Sequence, residues 1–421
     1  MVQAVAHLDE STSSRARLAV VVWVLTSIFY FYQYAMRSAP AVMMPQLSAA
    51  FGVSALGVAS IVGLFYYGYS PFSLVAGASM DRFGPRLLVP FAAVAVGIGA
   101  VLFSTGNTQV ASMGRFLQGA GGVFALVGAI YIASKNFPAS QAATLIGATQ
   151  MFGMAGGAAG QFLVGPIISR GIAWNQFWIG MGVLGLLLGA LLFFLIPAEK
   201  KSDQAGSWKT IANGFLVVFK NPQSILCGLI AGLLFIPTTI LDMVWGVRYL
   251  QEAHGLDYGE AVMRSATVPI GWIIGCPLLG FISDRLGRRK PVIVLGGFVL
   301  LVCLAWILYG QVDRLPAYTL GLIAGIASGA AMLPYTVIKE ANPPEYGGTA
   351  TGVINFINFT FSALLGPVFG WVLVRVSGGG SLELVDFRAA FTPMLYGVII
   401  AIVLAFILRE TGPAARAPVK A

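Results

Sequence analysis

The sequence predicts an all-α membrane protein of twelve transmembrane helices in two pseudo-symmetric six-helix bundles. Three observations carry this. Of 421 residues, 57% are hydrophobic and only 10% charged, far below the roughly one quarter charged that soluble domains carry. The apolar residues gather in runs of about 20, the length at which a helix spans a bilayer. A ten-residue segment also recurs: Gly77-Ala-Ser-Met-Asp81-Arg82-Phe-Gly84-Pro85-Arg86 returns as Gly280-Phe-Ile-Ser-Asp284-Arg285-Leu-Gly287-Arg288-Arg289, displaced by 284 − 81 = 203 positions. That is about half the chain, as expected when two homologous halves are joined head to tail.

The polar N-terminal segment 1–17 holds Asp9, Glu10, Arg15 and Arg17 and lacks the apolar core of a cleaved signal peptide, so none is expected. A bundle follows over 18–197, with helices at 18–45, 54–79, 86–104, 109–135, 140–168 and 174–197. Residues 198–221 form a polar linker, in which Ile211, Phe215, Val218 and Phe219 repeat with helical spacing; it is either a tether or a short interfacial helix. The second bundle, 222–409, has helices at 222–250, 261–282, 290–310, 316–339, 347–375 and 386–409, before a tail at 410–421. Glycines within the fourth and fifth helices, such as Gly119 and Gly156, are assigned to close helix packing.

The net charge of +9 follows the loops. With the N-terminus inside, seventeen of the 25 Lys and Arg fall on the inner side and six on the outer, while Arg37 and Arg115 remain within helices. The positive-inside rule therefore expects both termini in the cytoplasm of a bacterial inner membrane. The basic charge is topological, its neighbour anionic lipid rather than nucleic acid. The three cysteines lie in apolar runs, so neither disulfides, a metal cluster nor a cofactor is expected.

The repeated segment falls in the loops joining helices two and three, and eight and nine. Its glycines permit a tight turn, its acid can pair with Arg or cap a helix N-terminus, and its trailing arginines are expected at the lipid surface. The pattern Gly-x-x-x-Asp-Arg-x-Gly-x-Arg, found twice among twelve helices, resembles the signature loop of the major facilitator superfamily over essentially the whole chain. Asp81, Arg82, Asp284 and Arg285 are then expected to gate conformational change rather than bind substrate. The segment Arg115-Phe-Leu-Gln118-Gly119-Ala-Gly121 is similar to one associated in that superfamily with proton coupling. The helix-five pattern of its antiporters is incomplete: Gln161 stands before Gly165-Pro166 where a glycine belongs, which disfavours drug exchange. Phe31-Tyr-Gln-Tyr34-Ala-Met-Arg37-Ser-Ala-Pro40 and Phe65-Tyr-Tyr-Gly-Tyr69-Ser-Pro71 are similar to the bacterial phagosomal nutrient transporters, a resemblance that implies amino acids or other metabolites as substrates.

Arg37 is the sharpest residue within the membrane, about 18 residues and roughly 27 Å into the first helix. Tyr30, Gln33, Tyr34 and Arg37 share one helical stripe. We read it as lining a cavity, with the guanidinium binding a substrate carboxylate; the alternative is an Arg that reaches the outer interface or is permanently paired. Gln150, Tyr335, Asn355 and Asn358 are further candidates for substrate contact. The offset places Asp242 at 242 − 203 = 39, so it is expected to approach Arg37 across the cavity and to titrate during transport. Otherwise it is a static outer gate with Arg248. Arg115 either modulates a nearby proton carrier or holds carbonyls.

These readings converge on a secondary transporter. No phosphate-binding loop is present, and no His, Cys or nucleophile cluster marks an enzyme. The expected activity is proton-coupled uptake of a small carboxylate-bearing metabolite, an organic acid or amino acid, by a monomer working through alternating access. The alternatives are exchange or efflux of organic anions and, from other classes, a membrane-embedded enzyme or a transport-dead sensor. The sensor is disfavoured because the tails leave no room for an output segment.

Overall fold

A computed structural model describes residues 2–197, 208–310, 318–378 and 382–415. Residues 198–207 of the linker and 416–421 of the tail lie outside these. The described residues contain twelve helices long and apolar enough to cross a membrane. The first six are α1 (Arg17–Val42), α2 (Gly57–Phe83), α3 (Pro85–Phe103), α4 (Thr108–Asn136), α5 (Ala142–Ile168) and α6 (Trp174–Leu195). The last six are α7 (Pro222–His254), α8 (Tyr258–Leu286), α9 (Lys290–Tyr309), α10 (Thr319–Glu340), α11 (Pro344–Val376) and α12 (Leu384–Ile407). An even number of crossings puts both ends of the chain on one face, called here the terminal face.

Polar residues start the helices where the apolar runs begin. Ser54 accepts from Gly57 N–H, Asn107 from Gln109 and Val110, Asn221 from Gln223, and Asp257 from Glu260. Each satisfies an amide that the first helical turn leaves unpaired. The repeated loops stop α2 and α8 through glycine: Gly84 has φ 69° and Gly287 φ 62°, a region that residues bearing Cβ rarely adopt. The glycine in each Asp-Arg-x-Gly copy is thus fixed by backbone geometry.

The packing repeats with a six-helix step. In the first half α1 packs on α5, α2 on α4, and α3 on α4 and α6; in the second, α7 packs on α11, α8 on α10, and α9 on α10 and α12. The halves meet along two equivalent seams, α2 with α11 and α5 with α8. Both seams rest on glycine. A Cβ at Gly77 would stand 2.5 Å from the Gly348 carbonyl oxygen, and one at Gly147 2.2 Å from that of Cys276, so the backbones touch directly. Helices α3, α6, α9 and α12 turn apolar side chains such as Phe91, Phe194, Val302 and Phe406 outward, as a lipid-facing rim should.

The linker folds in part as a helix, Trp208–Lys220. Asn213 bonds the Tyr346 hydroxyl at the start of α11, so this segment is docked on the second half rather than acting as a tether.

Candidate functional site

The centre between the halves is polar, aromatic and cationic. Arg37, 7% exposed, donates from Nε and Nη2 to the Tyr66 hydroxyl at 3.2 and 2.8 Å. Its guanidinium carbon lies 4.6 Å from the Tyr34 ring centre, 4.7 Å from Tyr66 and 5.1 Å from Phe359. Such ring contacts are worth up to about 2 kcal/mol each when desolvated. Arg37 makes no ion pair among the described residues, and Nη1 has no hydrogen-bond partner. The aromatic cage replaces part of the hydration that burial removes, yet leaves one donor edge unused.

Around it the other predicted residues fall into two groups. In the first half, the Tyr30 hydroxyl donates to Gln150 Oε1 at 2.8 Å, and Tyr30 meets Tyr34 edge-on at 4.9 Å. Gln33 turns toward α4, where its Oε1 lies 3.0 Å from the place a Cβ on Gly122 would take. In the second half, Tyr335 donates to Asn355 Oδ1 at 2.9 Å and accepts from Asn358 Nδ2 at 3.0 Å. Asn355 Nδ2 then crosses the seam to Ser73 Oγ at 3.1 Å. Tyr34 and Tyr69 hydroxyls, both amide atoms of Gln33, Gln150 Nε2 and Asn358 Oδ1 are buried without partners. An unpaired buried polar atom costs about 1–3 kcal/mol. Several in one place, beside a guanidinium with an open edge, describe a site for a polar anion.

The sequence shows Tyr66 and Tyr69 only within a family motif and gives no sign of Phe359. Phe359 stacks near Tyr66 at 6.2 Å and meets Tyr69 at 4.6 Å, closing the Arg37 cage from the other half. No periodicity within one helix reports such a contact.

Asp242 requires a correction. The structure does not bring it to Arg37, nor to Arg248, which pairs with Glu252 at 2.6 Å. Residues Pro237–Gly246 form a π-helical segment inside α7, whose wider turn shifts Asp242 from the place that the repeat offset assigns to it. Asp242 instead accepts from Ser265 Oγ of α8 at 2.9 Å and lines a cavity within the second half with Thr238, Tyr249 and Ser328. Arg115, 1% exposed, donates to Gln118 Oε1 at 2.7 Å, to the Met36 carbonyl at 3.2 Å and to the Val62 carbonyl at 3.5 Å. It holds the backbone of α1 one residue before Arg37.

The repeated acids take equivalent places. Asp81 Oδ1 accepts from Gly348 N–H at 2.7 Å, and Oδ2 from Thr349 N–H at 2.6 Å and Oγ1 at 2.8 Å. Asp284 Oδ2 accepts from Thr144 N–H at 3.0 Å and Oγ1 at 2.8 Å. Each Asp thus binds the first turn of a helix in the opposite half, where free amides and the helix dipole favour a carboxylate. Arg82 and Arg285 lie against the rings of Phe83 and Phe281.

The trailing arginines differ from the sequence expectation. Arg86 is exposed, but the Arg289 side chain is fully buried, 2.6 Å from Asp284 and 2.8 Å from Glu340. Burial alone would lower its pKa; the bonds to Glu340 and Asp284 more than offset this and hold it above the ordinary value. The matching stretch of α4, Ser134 to Phe137, holds Lys135 and no acid, so the first half cannot build this triad.

Two halves related by a six-helix step, enclosing a buried cationic centre and latched at one face, define a polytopic transport scaffold. The sequence profile of the Major Facilitator Superfamily matches residues 26–367, and the chain belongs to that superfamily. It is a secondary transporter and not an enzyme. The membrane sensor protein UhpC of Salmonella typhimurium is 23% identical, covering 86% of this chain and 85% of its own. The hexuronate transporter of Bacillus subtilis is 25% identical, with 92% and 95% covered. The probable galactarate/D-glucarate transporter GudP of Escherichia coli is 23% identical, with 94% and 96% covered. In fold, the chain is similar to the superfamily transporter FucP in its outward conformation, at TM-score 0.73 and 15% identity over 94% of this chain and 100% of that one.

Proposed function

We propose that this transporter carries a small carboxylate-bearing metabolite, an organic or sugar acid, into the cell together with a proton by rocking its halves about the Arg37 centre. One observation carries the reading: the buried guanidinium pairs with no carboxylate among the described residues and has one unpaired donor edge, beside hydroxyl and amide groups that also lack partners. A carboxylate supplies the missing charge, and hydroxyl groups on a sugar acid match the tyrosine and amide atoms. The names of the hexuronate and galactarate/D-glucarate relatives support the class. Tyr30, Gln33, Tyr34, Gln150, Tyr335, Asn355 and Asn358 are assigned to substrate contact in this reading. Asp242 is assigned to proton coupling, Arg115 to its modulation and to holding Arg37 in place, and Asp81, Arg82, Asp284 and Arg285 to gating. The terminal face is assigned to the cytoplasm on its excess of Lys and Arg, in a bacterial inner membrane.

The test is a thermal-shift screen of the purified full chain against glucuronate, glucarate, succinate, glutamate and uncharged fucose. At least one carboxylate is expected to raise the melting temperature of the wild type and not of Arg37→Gln, because a ligand stabilises the state it binds. Stabilisation by fucose alone would overturn the assignment. Uptake of the stabilising acid into proteoliposomes is expected to rise when an inward proton gradient is imposed.

A further inference from the structure

A second cavity, of about 680 Å³, opens at the terminal face between the two halves. Its walls are the ends of α2, α4 and α10, the loop after α4, the starts of α5 and α11, and the segment after α12. Two cations stand in these walls, Lys135 and Lys339, and two acids, Asp81 and Glu340. The acids are committed: Asp81 to the first turn of α11, and Glu340 to Arg289. The lysines are not ion-paired among the described residues. Lys135 lies 5.7 Å from the Tyr131 ring, and Lys339 Nζ donates across the gap to Ser134 Oγ of the other half. Deeper in the same wall Thr336, 1% exposed, keeps a hydroxyl with no partner. It follows Tyr335 of the central group in the sequence of α10 and lies one turn before Lys339.

We infer that this vestibule is a second anion site, in which Lys135, Lys339 and the Thr336 hydroxyl hold a small carboxylate between the central site and the terminal face. The chemistry resembles that of the centre, two ammonium groups with no close ion pair among the described residues beside an unpartnered hydroxyl, but with lysines that release an anion more readily than a bidentate Arg. Occupancy also bears on closure. An anion that takes Lys339 removes its bond to Ser134, one of the bonds that cross between halves, so arrival of the ligand loosens the face through which it leaves. The site stands on its own geometry; only the identity of the anion as the transported acid rests on the proposed function.

The experiment reads protection of Lys135 from an amine-acylating reagent by mass spectrometry, on the purified full chain in detergent without added lipid. Lys220, outside the vestibule, serves as reference. Succinate or glucuronate at about 10 mM is expected to slow Lys135 acylation about fivefold in the wild type, the protection mass action gives for millimolar binding. Arg37→Gln is expected to keep that protection, Lys339→Gln to lose it, and Lys339→Arg to retain it, which separates loss of charge from misfolding. Unprotected Lys135 in the wild type with both acids, or equal protection in Lys339→Gln, overturns the vestibule site. Protection that vanishes in Arg37→Gln also overturns it, since the acid would then act from the centre. Failure of the central reading is seen separately, as equal thermal stabilisation of wild type and Arg37→Gln by the same acids. If an anionic lipid headgroup rather than a soluble acid is the natural occupant, phosphatidylglycerol micelles protect Lys135 and the two acids do not.

Discussion

Asp81 and Thr349 meet twice, through the backbone amide at 2.6 Å and the hydroxyl at 2.8 Å, although 268 residues separate them. Asp284 and Thr144 repeat the contact on the other seam. Each Thr is the third residue of a regular α-helical stretch, one beginning at Gly347 within α11 and the other at Ala142 at the start of α5. Asp81→Asn weakens one carboxylate cap, of a kind worth about 1–2 kcal/mol. Spin labels on the terminal ends of α2 and α11 are expected to show a longer, broader distance distribution in this variant. An unchanged distribution would remove Asp81 from the gate.

The second latch is reinforced where the first is not. Glu340→Ala leaves buried Arg289 with Asp284 as its remaining acid, and breaking a buried pair in this way is expected to cost about 3–5 kcal/mol. Arg86→Ala, at the exposed equivalent position, is expected to stay within about 0.5 kcal/mol of wild type. Thermal unfolding of the two purified variants measures the difference.

The seams predict a contrast between glycines. A methyl group at Gly147 meets the Cys276 carbonyl at 2.2 Å, while Gly63 has nothing within 4 Å. Gly147→Ala is expected to hold α5 off α8 and to raise cysteine accessibility along the terminal half of that seam. Gly63→Ala leaves accessibility unchanged, apart from a slight gain in stability from helix propensity.

Tyr66→Phe removes the acceptor of both Arg37 bonds while keeping the ring. Loss of a hydrogen bond to a charged group is worth about 1.5–3 kcal/mol. The affinity for the carboxylate found in the screen is therefore expected to fall at least tenfold as Arg37 loses its orientation. Isothermal titration gives the number, and affinity within twofold of wild type would place Arg37's orientation elsewhere.

Asp242 touches neither Arg37 nor the central amides, so binding and coupling are expected to separate. Asp242→Asn should retain the thermal shift given by the acid and lose the response of uptake to an imposed proton gradient. Counterflow, which needs no gradient, is expected to persist. If gradient-driven uptake also persists, the coupling assignment fails.

The twelve spans were legible because lipid demands long apolar helices, and predicted and observed limits differ by only a few residues for most of them. The seventh shows the typical error, 222–250 against Pro222–His254, since its polar end Val247–His254 continues the helix after the apolar run ends. Within the site, the stripe from Tyr30 to Arg37 was legible because it lies on one regular helix. Asp242 was misplaced because a repeat offset records no local change of helical turn, and the π-helical segment Pro237–Gly246 moves it off the expected position. Phe359 and Glu340 were invisible for another reason. Their importance arises from partners on other helices, Arg37 and Arg289, and sequence spacing records no such meeting.

The closed terminal face is joined by groups that water can serve equally well: amides, hydroxyls and carboxylates on opposing helix ends. Separating them exchanges one set of hydrogen bonds for another, at a net of about 1.5–3 kcal/mol each where a carboxylate accepts. The five bonds accepted by Asp81 and Asp284 therefore cost on the order of 10 kcal/mol to open, several times the 2.3 kcal/mol or so that one elementary charge gains in crossing 100 mV. A scaffold latched in this manner turns only if the opposite face forms compensating contacts as this one opens.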